Sequence, residues 1–487
     1  MQIRYFLILI LLSYYSSVGQ NSHYWTRNYG SQSMLLSGSV IGGVSDLGAV
    51  YYNPARLALT DNPAFVLSAD VYELNTYKID DAVGNRADLK KNSFGGAPSL
   101  AAGTYKIKKW PKHFFSYAIL LRYNEDLSFN YRDQLTTDVI KSSPGDELFE
   151  GEISITNKTK DEWFGLSWAY LIKENLSVGL SVFGTKTEVS KGNTFNLRAL
   201  DLNNNVTILD YNRNYSIDSY NLLFKLAMAY KHNKVDYGLT MTLPRINLTG
   251  NSNYNYQVFF SGAEGSTIAD IFGNSYQSDL DIDLKSPFAI GIGASYHIAP
   301  KRIIHFSAEY FSKVKNYTIM QVQPHNLQSN PDSTVNFTLY DRSKSIVNFG
   351  IGTEWYLSDK VSILASFSTD FSSIPDNKNS FINQEDIASN SVNTANYFHI
   401  GTGVLLTFKG AEFTLGATHT GGKVNFNRPI DIPDEPGNTA PIIETDEKGK
   451  LRWDRWQFIV SFSVPFIKDY AKKLEDKLLN GSDKKNN

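Results

Sequence analysis

Asp279, Asp281 and Asp283 recur at every second position, and Lys285 follows in the same phase. In an extended chain this spacing puts the three carboxylates on one face. That face also carries Ala289 and Gly291. A calcium ion needs oxygens at about 2.3–2.6 Å, whereas alternate side chains on a strand stand about 6.5–7 Å apart. One ladder does not close such a shell, so the acids read as a solvated face. His297 and His305 flank a short turn and are expected to oppose each other across a hairpin. Two histidines fall short of the three or four ligands zinc takes, and Glu309 stands several residues further along their face. Lys225 and Asp70 sit in inward phase on other segments, where they either meet a carboxylate head group or pair with neighbours. There is no G-x-S-x-G elbow, Walker loop or H-E-x-x-H pair, and no Ser/His/acid set is placed by spacing. No catalysis, metal or cofactor is expected. The chain has no cysteine, which excludes disulfides, thiolate metal sites, a cysteine nucleophile and a lipoprotein anchor.

The elements that carry these residues alternate. A strand with hydrocarbon on one side and a wet interior on the other repeats apolar residues every second position. Leu176, Val178, Leu180 and Val182 alternate with Ser177, Gly179 and Ser181. Phe288, Ile290, Ile292, Ala294 and Tyr296 alternate with Ala289, Gly291, Gly293 and Ser295. At the end of the series, Trp456, Phe458, Val460, Phe462, Val464 and Phe466 alternate with Gln457, Ile459, Ser461, Ser463 and Pro465. Fourteen such segments run from 64–77 to 451–466, including 113–132, 278–298, 302–322 and 334–357. A single-chain bacterial barrel needs an even number.

Their connections alternate between short and long. Lys109–Lys112, Lys173–Asn175, His232–Lys234, Ala299–Lys301, Ser358–Lys360 and Lys409-Gly410 are short. The stretches near 133–149, 260–277, 373–393 and 427–450 are long. Outer-membrane barrels have short periplasmic turns and long extracellular loops, and a soluble sandwich has no reason to keep that alternation. Trp110, Tyr170, Tyr230, Tyr237, Tyr296, Trp355, Tyr356 and Phe413 cluster beside the short turns, as an interfacial girdle would. The expected fold is all-β: a transmembrane antiparallel β-barrel of about 14 strands. Asp70, Lys225, Gly291, Gly293, His297, His305 and Glu309 are its expected lumen-lining residues.

Both ends lie outside this pattern. Arg4, the apolar run Phe6–Leu12 and the small residues Ser17 and Gly19 read as a signal peptide over 1–19. The run is too short to cross about 30 Å of hydrocarbon as a helix. After Phe466, Ile467, Tyr470, Ala471, Leu474 and Leu478 recur at helical spacing. That tail reads either as a short periplasmic amphipathic helix or as a solvated end. Lys plus Arg numbers 47 against 49 Asp plus Glu, a net charge of −2, which gives no electrostatic case for nucleic acid.

Residues 34–72, MLLSGSVIGGVSDLGAVYYNPARLALTDNPAFVLSADVY, resemble the start of the FadL/TodX-type family, outer-membrane transporters of long-chain fatty acids and aromatic hydrocarbons. In that family a small-residue segment leads to an Asn-Pro-Ala motif, here Asn53-Pro54-Ala55, and the first strand follows. Asn favours a side-chain turn and Pro fixes φ, so the motif marks a tight bend. The resemblance implies a fourteen-stranded barrel plugged by an N-terminal hatch. It divides the chain into a signal peptide (1–19), a hatch (20–63), the barrel (64–466) and a periplasmic tail (467–487). It also implies uptake of hydrophobic small molecules, long-chain fatty acids or similar, by facilitated diffusion. Lipopolysaccharide resists apolar solutes, and an apolar-lined pocket inside a barrel gives them another route. The expected surroundings are the lipid bilayer, lipopolysaccharide and the barrel-assembly machinery.

A second reading is an interaction protein, a partner in protein secretion or surface attachment. It would use loops 373–393 and 427–450 and the periplasmic tail. The chain departs from the family in its third strand, where members kink inward and open the wall sideways. Residues 113–132 contain no Gly, and Asn124-Glu125-Asp126 is either a bulge or the wet upper end of the strand.

Overall fold

The computed structural model describes residues 23–60, 65–375, 394–408, 411–428 and 447–464, apart from 86, 97, 141, 142, 144 and 263–268. The signal-peptide segment, the C-terminal tail, the Lys409-Gly410 turn and most of loops 373–393 and 427–450 lie outside the described residues.

Fourteen strands form the wall. They are β1 (Phe65–Asp80), β2 (Pro98–Tyr105), β3 (His113–Asp126), β4 (Glu147–Lys173), β5 (Leu176–Leu200), β6 (Val206–His232) and β7 (Val235–Thr242). Then come β8 (Ala289–Ala299), β9 (Arg302–Phe311), β10 (Ile346–Ser358), β11 (Val361–Asp370), β12 (Tyr397–Phe408), β13 (Ala411–Asn427) and β14 (Lys448–Val464). Each pairs antiparallel with the next. β14 returns to β1, from Phe65↔Val464 to Asp80↔Lys450, and this ladder closes the ring. A closed ring satisfies backbone groups between strands, which hydrocarbon requires.

The side-chain period sorts the two faces. Trp456, Phe458, Val460 and Phe462 are 40–47% exposed, whereas Gln457, Ile459, Ser461 and Ser463 are 1–6% exposed. Ile290, Ile292 and Tyr296 point outward, while Ala289, Gly291, Gly293 and Ser295 are buried. Four hairpins close with two-residue turns, after Lys173, His232, Ala299 and Ser358. Asn233 takes φ of 52°, the left-handed conformation such turns favour.

β4, β5 and β6 have 27, 25 and 27 residues. At about 3.3 Å per residue they run roughly 80–90 Å, when a spanning strand needs about 9–11 residues. They are far longer than a crossing requires, and their upper halves are widened by the strands Phe129–Thr137, Ile246–Ser261 and Ile271–Leu280.

Three expected segments are corrected there. Residues 278–298 are not one strand: Asp279, at φ 55°, ends Ile271–Leu280, and β8 begins only at Ala289. Asp279, Asp281 and Asp283 therefore form no straight ladder, and Asp283 pairs with Lys285 at 2.7 Å. Of 302–322, the wall keeps only β9. Val314–Met320 leaves it to pair with Leu339–Ser343 in a cap, so 334–357 enters the wall only at Ile346. Tyr356 also leaves the girdle. It turns inward on the same face as Glu354, to whose carboxylate it donates at 2.8 Å.

Candidate functional site: a plugged lumen with a side window

Residues 23–60 occupy the lumen, and nearly all are buried. Their body contains two short helices, α1 (Gln32–Leu35) and α2 (Ala49–Tyr52), and a 3-10 turn over Pro54–Ala58. Asp46 ties it together, accepting from the backbone N–H of Gln32, Ser33 and Gly48 and from the hydroxyls of Ser31 and Ser33. Asn53 shapes the bend. Its Oδ1 accepts from Ala55 N at 3.1 Å and its Nδ2 donates to Ile41 O at 2.8 Å. Pro54 then opens the 3-10 turn, where no N–H is needed.

The wall was shaped to receive this body. A Cβ on Gly293 would stand 2.5 Å from Gly42 N, and one on Gly238 would strike Ile41 O. Wall serines supply partners for hatch backbone. Ser177 donates to Ala55 O at 2.8 Å, Ser181 to Val50 O at 2.7 Å and Ser366 to Leu35 O at 2.7 Å. Arg56 pairs with Asp236 at 3.1 Å, and Lys231 donates to Leu59 O at 2.8 Å.

Ahead of the body, residues 23–27 form a strap held by the wall's charged groups. Asp370, fully buried at the end of β11, accepts from Tyr24 N, Trp25 N, Thr26 Oγ1 and Asn348 Nδ2 at 2.7–3.2 Å. Trp25 Nε1 donates to Glu309 at 2.8 Å. Arg122 donates to Tyr24 O at 2.6 Å, and Arg455 to Thr26 O. Arg27 pairs with Glu73 at 3.3 Å. Tyr24 stacks on Phe311, with ring centroids 4.3 Å apart.

Between strap, body and wall lies a cavity of about 60 Å³. Tyr24, Tyr51, Trp163, Leu223 and Phe311 line it, with the cations Arg122, Lys225 and Arg245 and the carboxylate of Glu309. Lys225 is 3.8 Å from Glu309, and Arg245 is 3.5 Å from Asp161. Arg122 lies over the rings of Tyr51 and Trp163, at 5.8 and 5.9 Å, with no carboxylate within 4.0 Å among the described residues. Outside the bilayer, burial pushes the Asp341 carboxyl of the cap up to about 7, against the N–H of Arg342 and the Lys191 charge.

The wall opens sideways above this cavity. β2 begins only at Pro98, and its pairing with β3 ends at Leu100↔Leu120. Above that, β1 pairs with the strand Leu89–Gly95, while the upper half of β3 pairs with β4 alone. The gap holds an open cavity of about 430 Å³ that reaches Thr26 and Arg27 of the strap. Glu73, Asn75, Asn124 and Glu125 line it beside Tyr77, Tyr123, Phe94 and Trp453. A bulge at Arg122, between Leu121↔Glu162 and Tyr123↔Asp161, turns both Arg122 and Tyr123 inward. The bulge thus falls two residues before Asn124, and Asn124–Asp126 are the strand's upper end.

No protein-family model and no curated protein matches the chain. Solved structures do. A FadL homologue of Pseudomonas aeruginosa aligns at a TM-score of 0.55 and 10% identity, covering 91% of this chain and 100% of that one. The toluene transporter TodX of Pseudomonas putida aligns at 0.52 and 12%, covering 90% and 99%. The chain has the FadL/TodX-type fold.

Within that FadL/TodX-type barrel the expected lumen residues divide. Lys225, His305 and Glu309 are buried inside the wall, 2–7% exposed, and Gly291 and Gly293 pack against Ile41 and Gly42 of the hatch. Asp70 lies opposite Ile459 in the ladder between β1 and β14. His297 is half-buried, 3.6 Å from Asp236. It does not oppose His305. The β8–β9 turn is only Pro300-Lys301 and the register slips between His297 and Ala299, so His305 faces Ser295 instead.

His305 there completes a chain that spacing did not reveal: Ser295 Oγ to Nδ1 at 2.7 Å, and Nε2 to Glu354 at 2.9 Å. It has the residue types of a Ser/His/acid triad. The hatch covers it, for a Cβ on Gly43 would strike Ser295 Oγ. Spacing does not single out Arg122, Asp370 or Trp25 either. Only Arg122 left a trace in the sequence, the break of alternation in Leu120-Leu121-Arg122-Tyr123.

Proposed function

We propose that the chain is an outer-membrane channel that takes up hydrophobic small molecules by facilitated diffusion, and that its substrates are amphiphiles with an anionic head, long-chain fatty acids being the type. The observation that carries this is the cavity beside the strap, where aromatic walls converge on Arg122, Lys225 and Arg245. Aromatic rings suit an apolar chain and cations suit a carboxylate. At 60 Å³ the cavity is far below the roughly 300–1,000 Å³ of ligand sites, so the strap must move for a ligand to enter. The window beside Arg122 offers a way out through the wall. Residues 1–19 are read as its export signal and 467–487 as its periplasmic tail.

The test is binding of oleate and of toluene to the purified full chain, with Arg122→Gln and Lys225→Gln as variants. Both ligands should bind the parent, and the variants should weaken oleate about tenfold or more while leaving toluene unchanged. Equal loss of both ligands would make the cations structural. Toluene binding without oleate binding would make the substrates neutral hydrocarbons.

A further inference from the structure

The two rims of the barrel differ in charge. On the long-strand side exposed lysines are matched by acids: Lys158 and Lys91 meet Asp126, Lys160 meets Glu162 and Lys186 meets Glu188, while Lys90, Lys423, Lys448 and Lys450 share that side with exposed Asp88, Asp133, Asp218 and Asp454. On the short-turn side every described turn presents exposed lysine: Lys109 and Lys112, Lys173, Lys234, Lys301 and Lys360. Of these, only Lys301 has a carboxylate within range among the described residues, Asp359 at 4.0 Å. Glu174 and Asp359 are the exposed acids of these four hairpin turns and the 106–112 turn. The rim is therefore strongly basic on a chain whose net charge is −2.

Its position relative to the bilayer is fixed by aromatics. Trp110, Tyr237, Tyr296 and Trp355 are 46–53% exposed on the outward face, where a membrane interface places such rings. Tyr296 and Trp355 each precede a turn lysine by five residues, and Tyr237 follows Lys234 by three. At about 3.3 Å per residue the ammonium groups lie on the order of 10 Å beyond the rings, the depth of the lipid phosphates. Arg302 lies 5.3 Å over the Trp355 ring, joining the two layers.

We infer that this rim is a docking surface for anionic phospholipid headgroups of the periplasmic leaflet. Unpaired lysines at phosphate depth gain from an anionic leaflet what they lack from protein carboxylates. The inference depends on the short turns facing the periplasm, and not on which substrate the lumen carries. Native mass spectrometry of the purified full chain tests it, with phosphatidylglycerol, phosphatidylethanolamine and lipid A as probes. The parent should retain phosphatidylglycerol several-fold over phosphatidylethanolamine. Lys109→Gln, Lys112→Gln, Lys173→Gln and Lys234→Gln combined should abolish that preference, while Lys158→Gln, Lys160→Gln and Lys186→Gln combined should keep it. Heat-modifiable gel mobility establishes that both variants are folded. Equal retention of the two phospholipids by the parent overturns the inference, as does equal loss in both variants. A preference for lipid A, abolished by the first set, overturns it by placing this rim in the outer leaflet. Capture of an acidic periplasmic protein without any phospholipid preference overturns it too.

Discussion

The body and the strap of the hatch are both buried, but they are held by different physics. The body meets the wall mostly at glycines and serines, with Arg56–Asp236 and Lys231 as its charged contacts, and its own Leu35, Leu36 and Leu57 are at most 1% exposed. Close backbone approach leaves little freedom to shift, because a packed interior does not deform continuously. The strap meets the wall through Asp370, Glu309, Glu73, Arg122 and Arg455. Hydrogen bonds to charged groups are strong while made, yet water or an anionic ligand can replace them group by group. This contrast predicts that the body resists displacement more than the strap does.

Removing both regions gives the largest effect. Fourteen strands enclose more room than side chains fill, since about eight already give a side-chain-filled interior. Deletion of 21–60 should leave a folded barrel that conducts ions in planar bilayers, while the parent stays nearly closed. A deletion that folds and stays closed would assign the plug to a loop. Next comes the body alone. Gly238→Val drives a side chain into Ile41 O, and overpacking of this kind costs about 1–3 kcal/mol. It should lower the temperature at which the gel mobility shifts and add a steady leak current.

Breaking the strap alone should do less. Asp370→Ala strips four donors of their acceptor, each buried unpaired donor costing about 1–3 kcal/mol. A cysteine at Trp25 in this cysteine-free chain should then label readily, while one at Leu57 stays protected. Equal labelling of both would erase the distinction between strap and body. The smallest effect belongs to the cap. Asp341 holds its proton up to about pH 7 when folded, against an ordinary value of 3.8. The folded chain binds the extra proton between those values, so the cap loses stability as pH rises through the window and no more above it. Hydrogen exchange over Leu339–Ser343 should quicken from pH 5 to pH 8 beyond the intrinsic rate, and Asp341→Asn should remove that excess.

Much of the wall is legible in the sequence, because alternation at period two is a local consequence of a lipid face and an inner face. Trp456 to Ser463 is sorted correctly, residue by residue, without any knowledge of a partner strand. The bend at Asn53-Pro54 is local too, since the amide cap and the proline ring act within three residues. The break at Asp279 leaves no such local mark. Apolar phase runs on across it, and only the pairing of Ile271–Leu280 with Ile246–Ser261 shows that this stretch has left the wall.

What the lumen does was decided by tertiary structure alone. Asp370 lies 344–346 residues from the strap groups it holds, and Ser295, His305 and Glu354 come from three separate strands. Single-sequence patterns record how each residue faces its neighbours along the chain, and they carry no term for which inward residues meet across a closed ring. The sequence by itself therefore determined strands, faces, turns and the presence of a segment apart from the wall. Closure of β14 on β1 determined that this segment lies inside, that Arg122 sits beside a window, and that the charges of distant strands converge on one strap.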